Sequence, residues 1–259
     1  MYAYTENEYA DLLRLALDSR RPVFYAEAAV EESAVLWRHD VDFSPQRALA
    51  LARLEAEIGM KATYFFQLRG LWYNPLEPGM ERLMREIAGM GHALGLHFDP
   101  LAYAGKDAQS LETGLGLERR MLEHCAQCPV EVFSFHNPTL IRDLPRDMEG
   151  WGGMVNAGAR SIAGRYRYAS DSRGGWRRTD VPALLRMGGE PRLHILTHPF
   201  RWTPQGMTPR ETLLRCVEGR AAAGRSLVEK TIAAWGTGEV DESRDHLLSA
   251  WIGAGSSPS

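Results

Sequence analysis

Two carboxylates, Asp40 and Asp42, stand two residues apart at the end of the apolar run Val35–Trp37, next to Arg38 and His39. In an extended strand, alternate side chains point to the same face, so these two carboxylates project together. Like charges this close repel each other unless a cation lies beside them. A metal ion is the simplest such cation. The alternative is a strand end with solvated acids, followed by a turn.

The same residue types recur where three later apolar stretches end. His97 and Asp99 end one stretch, His136 ends another and His198 ends the last. If these stretches are parallel strands of one sheet, their ends lie on one edge. Together with His39, four of the eight histidines would then meet three carboxylates there. Histidine and aspartate around one point are typical of a catalytic divalent-metal site that keeps open positions.

Strands and helices alternate in the chain that must position these residues. Capping patterns mark helix starts at Thr5, Ser44 and Thr208. The pattern predicts helices over residues 5–20, 45–58, 80–91, 108–124 and 208–235, and strands over 34–41, 61–68, 92–97, 130–136 and 193–198. Such alternation favours parallel strands joined by crossover helices, and therefore an α/β sheet or barrel.

Length and composition indicate one ordinary globular domain. The 259 residues carry a net charge of -3, which gives no reason to expect nucleic acid or an anionic membrane as a partner. We see neither an apolar run long enough to span a membrane nor a signal peptide. The three cysteines suit a reducing compartment, so we expect a cytoplasmic protein.

Three motifs in order resemble the polysaccharide deacetylases with the NodB (nodulation-deacetylase) homology domain, carbohydrate esterase family 4. They are Asp40-x-Asp42, Gly91-His92-x-x-Gly95-x-His97 and Leu196-x-His198-Pro199. The resemblance covers roughly residues 34–202. It implies an α/β fold of a particular kind, a distorted (β/α) barrel of parallel strands with outer helices. We expect one domain over residues 1–259, with an N-terminal helix at 5–20 and a C-terminal helix and tail at 208–259.

The resemblance also implies a role for each matched residue. Asp40 corresponds to the catalytic base and His198 to the general acid, whereas Asp42 and His97 correspond to metal ligands. His92 matches a supporting position at the start of its strand. The implied cofactor is a divalent metal, zinc first, with cobalt, nickel or manganese as alternatives. The implied substrate is an N-acylated, foremost N-acetylated, amino sugar.

Two positions depart from the family pattern. Leu101 stands where a second metal-binding histidine is expected, and His136 stands where an arginine that pairs with the base is expected. The two changes compensate if His136 supplies the third ligand, with Asp99 as the second choice. Arg38 and His39 are placed to set the charge on the base. The pattern resembles a divergent branch of the family that occurs with surface-polysaccharide synthesis.

The segment 160–186 combines seven arginines with aromatic residues. Such a surface suits a sugar that carries phosphate or carboxylate, although a solvated basic loop explains it equally well. Asp171 and Trp176 fall where the family has an element that lines the site. Trp202, with Phe200 before it, either forms an apolar wall for the acyl group or belongs to the core.

Three functions remain open at this point. The first is a metal-dependent deacetylase acting on an amino sugar, either nucleotide-linked or lipid-linked. The second is another hydrolase of C–N amide bonds, such as a deformylase, on the same scaffold. The third is a degenerate sugar-binding domain without turnover, which the leucine at position 101 favours. The presence of both Asp40 and His198 argues against that third function, since a binding domain needs neither base nor acid.

Overall fold

The computed structural model describes residues 3–105, 107–141, 143–172, 176, 180–186 and 190–236. The tail expected at the C-terminus lies outside the described residues. The helices are α1 (Glu6–Leu17), α2 (Pro45–Ile58), α3 (Pro78–Gly89), α4 (Ala108–Ala126), α5 (Arg160–Arg165), α6 (Val181–Arg186) and α7 (Pro209–Gly236). The strands are β1 (Arg21–Pro22), β2 (Ala34–Val41), β3 (Thr63–Phe66), β4 (Ala93–Phe98), β5 (Val132–Phe135), β6 (Gly150–Trp151), β7 (Met154–Asn156), β8 (Arg167–Ser170) and β9 (Arg192–Thr197).

One sheet contains all of these strands, in the order β6-β7-β5-β4-β3-β2-β9-β8, and β1 pairs with the start of β2. Every neighbouring pair is parallel except β6 with β7, which is antiparallel. The sheet curls into a half-barrel with helices around it. The predicted fold class, a distorted (β/α) barrel of parallel strands with outer helices, is therefore confirmed.

The long elements lie where the patterns predict them, although α1 ends at Leu17 rather than at residue 20 and β3 is shorter than residues 61–68. Thr5 and Glu8 form a capping box at the start of α1, in which each side chain accepts the backbone N–H of the other residue. The Ser44 hydroxyl caps α2, whose first residue is Pro45. Gly59 then ends α2 with a φ of 90°, a left-handed conformation that glycine adopts at little cost.

The strand β2 lies near the centre of the sheet, and all eight of its residues are buried. It pairs with β9 on one edge and with β3 on the other. Val35 and Trp37 pack in the large core beneath the helices, together with Leu51 of α2. Leu36 packs in a smaller cluster with Phe65 of β3. Because side chains alternate along a strand, β2 separates the interior of the half-barrel from the helical layer.

The sequence patterns missed the short elements. β1, β6, β7 and β8 have only two to four residues each, and α5 and α6 have six. Elements this short show no clear periodicity, and they are stabilised by pairing with neighbours rather than by their own composition. The segment 160–186, treated above as a possible basic loop, contains α5, β8 and α6. Three of its arginines, Arg173, Arg177 and Arg178, lie outside the described residues.

The helix α7 begins with the predicted capping box of Thr208 and Glu211. It extends over 28 residues to Gly236. Among the described residues, no helix combines the length and the apolar character that crossing a membrane requires.

A buried carboxylate connects α2 to the outer face of β2. Glu55 is fully buried, and it accepts hydrogen bonds from the hydroxyls of Tyr9 and Tyr64. His39 Nε2 lies 2.6 Å from Glu55 Oε1. Burial would raise the pKa of Glu55, but His39 and then His92 and Tyr64 more than offset this, so the pKa lies below its usual value. Glu55 therefore stays ionised inside the protein.

We expect Glu55→Ala to lower the free energy of unfolding at pH 7 by about 3–5 kcal/mol, because buried partners would lose their acceptor. Urea denaturation measures this, with Glu57→Ala, an exposed site on the same helix, as the control.

The folded-state pKa of Glu55 lies below the unfolded value, so its stabilising contribution is present above that unfolded value and is lost as the pH falls. The stability gap between wild type and Glu55→Gln should therefore stay constant well above the ordinary pKa of 4.5 and shrink as the pH falls below it. A constant gap would contradict this role.

Candidate active site

The predicted site residues meet at the carboxyl edge of the half-barrel, because β5, β4, β3, β2 and β9 are neighbours and all parallel. His97 Nε2 lies 3.4 Å from Asp42 Oδ1 and 3.5 Å from Asp40 Oδ2. His198 Nε2 lies 3.7 Å from Asp42 Oδ2. Four side chains from three different strand ends thus surround one small volume.

The described part of the chain holds one cluster of three side chains spaced to bind a metal ion, formed by Asp42, His97 and His136. Their ligand atoms all lie within 4.8 Å of one another. His136 Nδ1 is buried and has no hydrogen-bond partner among the described residues. An unsatisfied buried nitrogen is costly, and a cation would satisfy it. One carboxylate and two imidazoles suit zinc and similar divalent ions, so these residues fit the expected metal.

Neighbouring side chains orient the predicted ligands. His97 Nδ1 lies 2.8 Å from Ser134 Oγ, which leaves Nε2 facing the carboxylates. Gln67 Nε2 donates to Asp42 Oδ1 at 2.7 Å. Contacts of this kind hold metal ligands in place in other proteins. The sequence reasoning missed both partners, although Gln67 directly follows β3, the strand between β2 and β4.

Between the two candidates for the third ligand, the geometry favours His136. The Asp99 carboxylate accepts the backbone N–H of Leu101 at 3.0 Å and so caps the short 3-10 helix Pro100–Tyr103. Its other oxygen lies 3.8 Å from His136 Nδ1. Burial and then the nearby His97 lower the pKa of His136, which favours the neutral imidazole that a metal requires. The ligand role of His136 stays a prediction, and Asp99 contacts it from outside the cluster.

Arg38 holds the predicted base from two residues away on the same strand face. Its Nε and one terminal nitrogen donate to the two oxygens of Asp40, at 2.7 and 2.9 Å. The guanidinium also lies over the ring of Phe65, 5.0 Å from its centre. Burial would raise the pKa of Asp40, but Arg38 and then His97 hold it well below its usual value. Asp40 is therefore an ionised, firmly oriented carboxylate.

The prediction that His39 joins the other histidines is wrong. His39 follows Arg38 on β2, so its side chain points to the opposite face. There it stacks on Tyr64, with 4.2 Å between ring centres, and its Nδ1 lies 2.8 Å from Thr197 Oγ1. It pairs with Glu55 rather than with Asp40. Three of the four histidines therefore reach the site. Of the two neighbours expected to set the charge on Asp40, Arg38 pairs with it and His39 does not.

Asp171 contacts the predicted acid rather than an open pocket. It is fully buried, and its Oδ1 lies 2.5 Å from His198 Nδ1. Its Oδ2 accepts the backbone N–H of His198 at 3.0 Å and the indole N–H of Trp202 at 3.1 Å. Burial would lower the pKa of His198, but Asp171, and less strongly Asp42 and Asp40, raise it to about 9. The imidazole is therefore held in its protonated form.

Trp202 is a core residue and not part of an apolar wall for the acyl group, the other role that the sequence left open. Its side chain is fully buried, so it forms no wall of a substrate pocket. Trp176 is half-buried and packs 6.4 Å from the Trp202 ring, and its backbone N–H donates to Tyr4 Oη at 3.1 Å. A contact between Trp176 and substrate stays a prediction. The sequence could not reveal the Asp171–Trp202 contact, because Asp171 follows β8, an edge strand that periodicity missed.

An aromatic cleft of about 360 Å³ opens beside the site. The Phe43 ring lies 4.7 Å from the Phe200 ring and 4.9 Å from the Trp72 ring. Phe43 directly follows Asp42, and Phe200 lies 6.2 Å from His198, so the cleft adjoins the predicted ligands. Phe43 and Trp72 were not predicted, because only the folded chain brings residues 71–74 next to the end of β2.

The sequence matches no protein-family model and no curated protein. Among solved structures, it is similar to wild-type BA3943 of Bacillus anthracis, described as a CE4 family pseudoenzyme, at 15% identity over 80% of this chain and 66% of that chain, with a TM-score of 0.40. It is also similar to the Bc1960 peptidoglycan N-acetylglucosamine deacetylase, at 15% identity over 75% and 84%, with a TM-score of 0.44. A third is the Streptococcus pyogenes deacetylase PplD, at 14% identity over 81% and 85%, with a TM-score of 0.41.

This chain spans only about two thirds of the length of BA3943, from 64 to 68% in three structures of that protein. Identities near 15% and TM-scores below 0.5 carry no information about activity or about the roles of residues. The description of BA3943 names the CE4 family, which is the family that the motifs of this sequence resemble.

We expect His136→Ala to weaken binding of Zn²⁺ to the metal-free protein by at least about 100-fold, since a lost ligand should cost more than a lost supporting contact. Asp99→Ala should weaken binding by about 10-fold or less. Isothermal titration calorimetry measures both, and circular dichroism checks that each variant is folded. The opposite ranking would make Asp99 the third ligand.

Proposed function

We propose that this protein is a metal-dependent hydrolase that removes an N-acyl group, foremost an N-acetyl group, from an amino sugar. One observation carries the proposal: Asp40 and His198 both border the cluster of predicted ligands. Asp40 Oδ2 lies 3.5 Å from His97 Nε2, and His198 Nε2 lies 3.7 Å from Asp42 Oδ2. Amide hydrolysis removes a proton from the attacking water and delivers one to the leaving amine. A base and an acid beside one cation suit that reaction.

Asp42, His97 and His136 are the residues that would hold the cation. When bound, a divalent ion polarises the substrate carbonyl and lowers the pKa of water towards about 7. The chain supports this role by fixing two of the three side chains before any ion arrives, through Gln67 on Asp42 and Ser134 on His97.

Asp40 acts as the base in this mechanism. Both of its oxygens accept hydrogen bonds from Arg38, so the carboxylate cannot rotate freely. Its low pKa makes it a weak base. A weak base suffices when the water that it deprotonates is already acidic. Arg38 therefore lowers the basicity of Asp40, but it also fixes the orientation of this carboxylate and keeps it ionised.

His198 acts as the acid. An amine leaves an acyl carbon only when it is protonated, so the reaction needs a proton donor opposite the base. Asp171 holds Nδ1 of His198, which leaves Nε2 facing Asp42 and the metal cluster. The pKa of about 9 keeps the proton on His198 at neutral pH. Asp171 thus positions the acid and stabilises its charge, in the manner of a carboxylate behind a catalytic histidine.

The substrate assignment rests on the motifs and is supported by the aromatic cleft. Aromatic rings such as Phe43 and Trp72 offer flat apolar faces beside a polar site, a combination typical of small-molecule sites. We propose that the remainder of the substrate lies along this cleft. Nucleotide-linked and lipid-linked amino sugars are the two candidate forms, within surface-polysaccharide synthesis in the cytoplasm.

Two other functions stay testable alternatives. A different C–N hydrolase, such as a deformylase, would use the same base, acid and metal on a smaller acyl group. A degenerate sugar-binding domain would lack turnover. Leu101, which replaces a family ligand, is the feature that favours the degenerate domain, and His136 offers the missing nitrogen from a neighbouring strand instead.

The decisive experiment separates the two carboxylates. We expect Asp42→Ala to lose bound metal, and Asp40→Asn to retain metal and lose about 10²- to 10⁴-fold in turnover, the usual contribution of a general base. Metal content is measured by plasma mass spectrometry after purification without chelator. Turnover is measured as acetate or formate released from N-acylated hexosamines.

Glu57→Gln, on the exposed face of α2, is the control for both measurements. Equal metal loss in the two aspartate variants would show that their roles are wrongly assigned. Metal binding by wild type without release of any acyl group would leave the sugar-binding alternative. Absence of both binding and release with zinc, cobalt, nickel or manganese would overturn the proposal.

Asp171→Asn should lower the turnover of an N-acetyl amide by at least about 10²-fold while the metal content stays unchanged, because His198 loses the charge that holds its proton. The turnover of an aryl acetate should fall by a smaller factor, since its phenolate leaves without needing a proton. The two substrates are compared by initial rates in wild type and variant. An equal loss on both would assign Asp171 a purely structural role.

A further inference from the structure

An uncovered apolar surface lies on the helix α7. Of the twelve large apolar side chains that are exposed in the described residues, five belong to this helix, with exposed fractions of 38 to 61%. They are Leu214, Val217, Val228, Ile232 and Trp235. A surface helix normally turns its apolar residues towards the core. Clustered exposed apolar residues instead mark a surface that contacts another molecule.

These five side chains form one narrow stripe. At 100° per residue, they fall within an arc of about 60° on the helix. The more buried positions of α7 are centred about 110° away from the stripe; they are Thr212, Leu213, Cys216, Leu227, Thr231 and Ala234. Arg220, between the two faces, pairs with Glu77 next to α3. The helix therefore rests on the protein with one side and presents the stripe outwards with another.

The spacing along the stripe is that of a seam between two helices. Leu214, Ala221, Val228 and Trp235 recur every seven residues, and Val217, Gly224 and Thr231 each follow three residues later. A repeat of seven with apolar or small residues at two positions lets two helices pack along their length, and here Gly224 and Thr231 are the small residues of the second position. Gly224 has open space where a Cβ would lie, so a second helix can approach closely there.

Charges beside the stripe favour a second copy of this chain in antiparallel orientation. Glu218 and Arg225 border one flank, and Arg220 borders the other. Antiparallel helices bring like flanks together, so Glu218 of each copy faces Arg225 of the other. With Val217 opposite Val228, these charges lie about 3 Å apart along the axis. A parallel pair would instead place Arg225 near Arg220, which already pairs with Glu77, and would leave Glu218 without a cationic partner.

We infer that two copies of this chain associate through α7, packed antiparallel along this stripe. The two-fold axis then passes near Ala221 and Gly224, so that Ala221 of one copy lies opposite Gly224 of the second. Val217 of one copy lies against Val228 of the second, and two Glu218–Arg225 ion pairs flank the seam. The stripe contains none of the predicted catalytic or metal-binding residues, although Val217 lines a cleft with Phe43 and Trp72. The inference does not rest on the proposed activity, because its test measures association alone.

Sedimentation of the full chain by analytical ultracentrifugation, between about 1 and 100 µM, tests the inference. Wild type should form a dimer in this range. Val217→Glu should raise the dissociation constant by at least about 30-fold, because it buries an unpaired charge in the seam. Glu218→Arg and Arg225→Glu should each raise it by about 10-fold.

The double variant Glu218→Arg with Arg225→Glu should return the dissociation constant to within about threefold of wild type, since the pairs are restored with reversed charges. Within one helix, these residues are seven positions apart and do not compensate each other. Lys230→Glu, at an exposed position about 170° round the helix from the stripe, is the matched control for Arg225→Glu and should change little. A tighter dimer with Arg225→Glu alone would indicate a parallel pair and overturn the inference. A monomer at every concentration would also overturn the inference. Sedimentation of such a monomer with anionic lipid vesicles would then indicate that the stripe binds a membrane surface instead.

Discussion

The pairing of β2 with β3 on one edge and with β9 on the other is the constraint on which the candidate site depends. It places His39 beside Thr197 and the carboxylates at the rim. Because side chains alternate, β2 sends Arg38 and Asp40 to the interior and His39 to the helical layer, and Asp42, directly after the strand, follows the interior set. A shift of one residue in register would exchange the two sets, which would bury the ligands beneath the helices and leave His39 at the rim.

Buried charges are tolerated in this protein because each has a partner close by. Glu55 has His39 behind the sheet, Asp40 has Arg38 inside the half-barrel and Asp171 has His198 at its edge. A buried ion without a partner costs several kcal/mol, by usual estimates about 3–5 when one partner is removed. Asp42 has no arginine partner among the described residues; its neighbours are Gln67 and two histidines. A cation at this point would complete the same pattern of matched charges.

Neighbouring strands allow one ligand to replace another. The motif resemblance leaves Leu101 where a ligand is expected after β4, and His136 follows β5. β4 and β5 are paired, and the backbone N–H of His136 donates to Phe98 O at 2.8 Å. His136 therefore sits beside the end of β4, within reach of His97. A ligand can move from one strand to its neighbour without changing the fold, because both strand ends border the same volume.

Sequence alone determined the long elements, the α/β class and the meeting of Asp40, Asp42, His97 and His198 at one edge of the sheet, whereas their roles stay predictions. Those predictions rest on local signals, such as caps and alternation, and on the rule that parallel strands end at one edge. Tertiary structure alone decided which face His39 occupies in the assembled sheet, that Asp171 and Gln67 support the site, that Trp202 is core and that Trp72 reaches the cleft. Contacts between residues distant in sequence depend on register and packing, which no local pattern encodes.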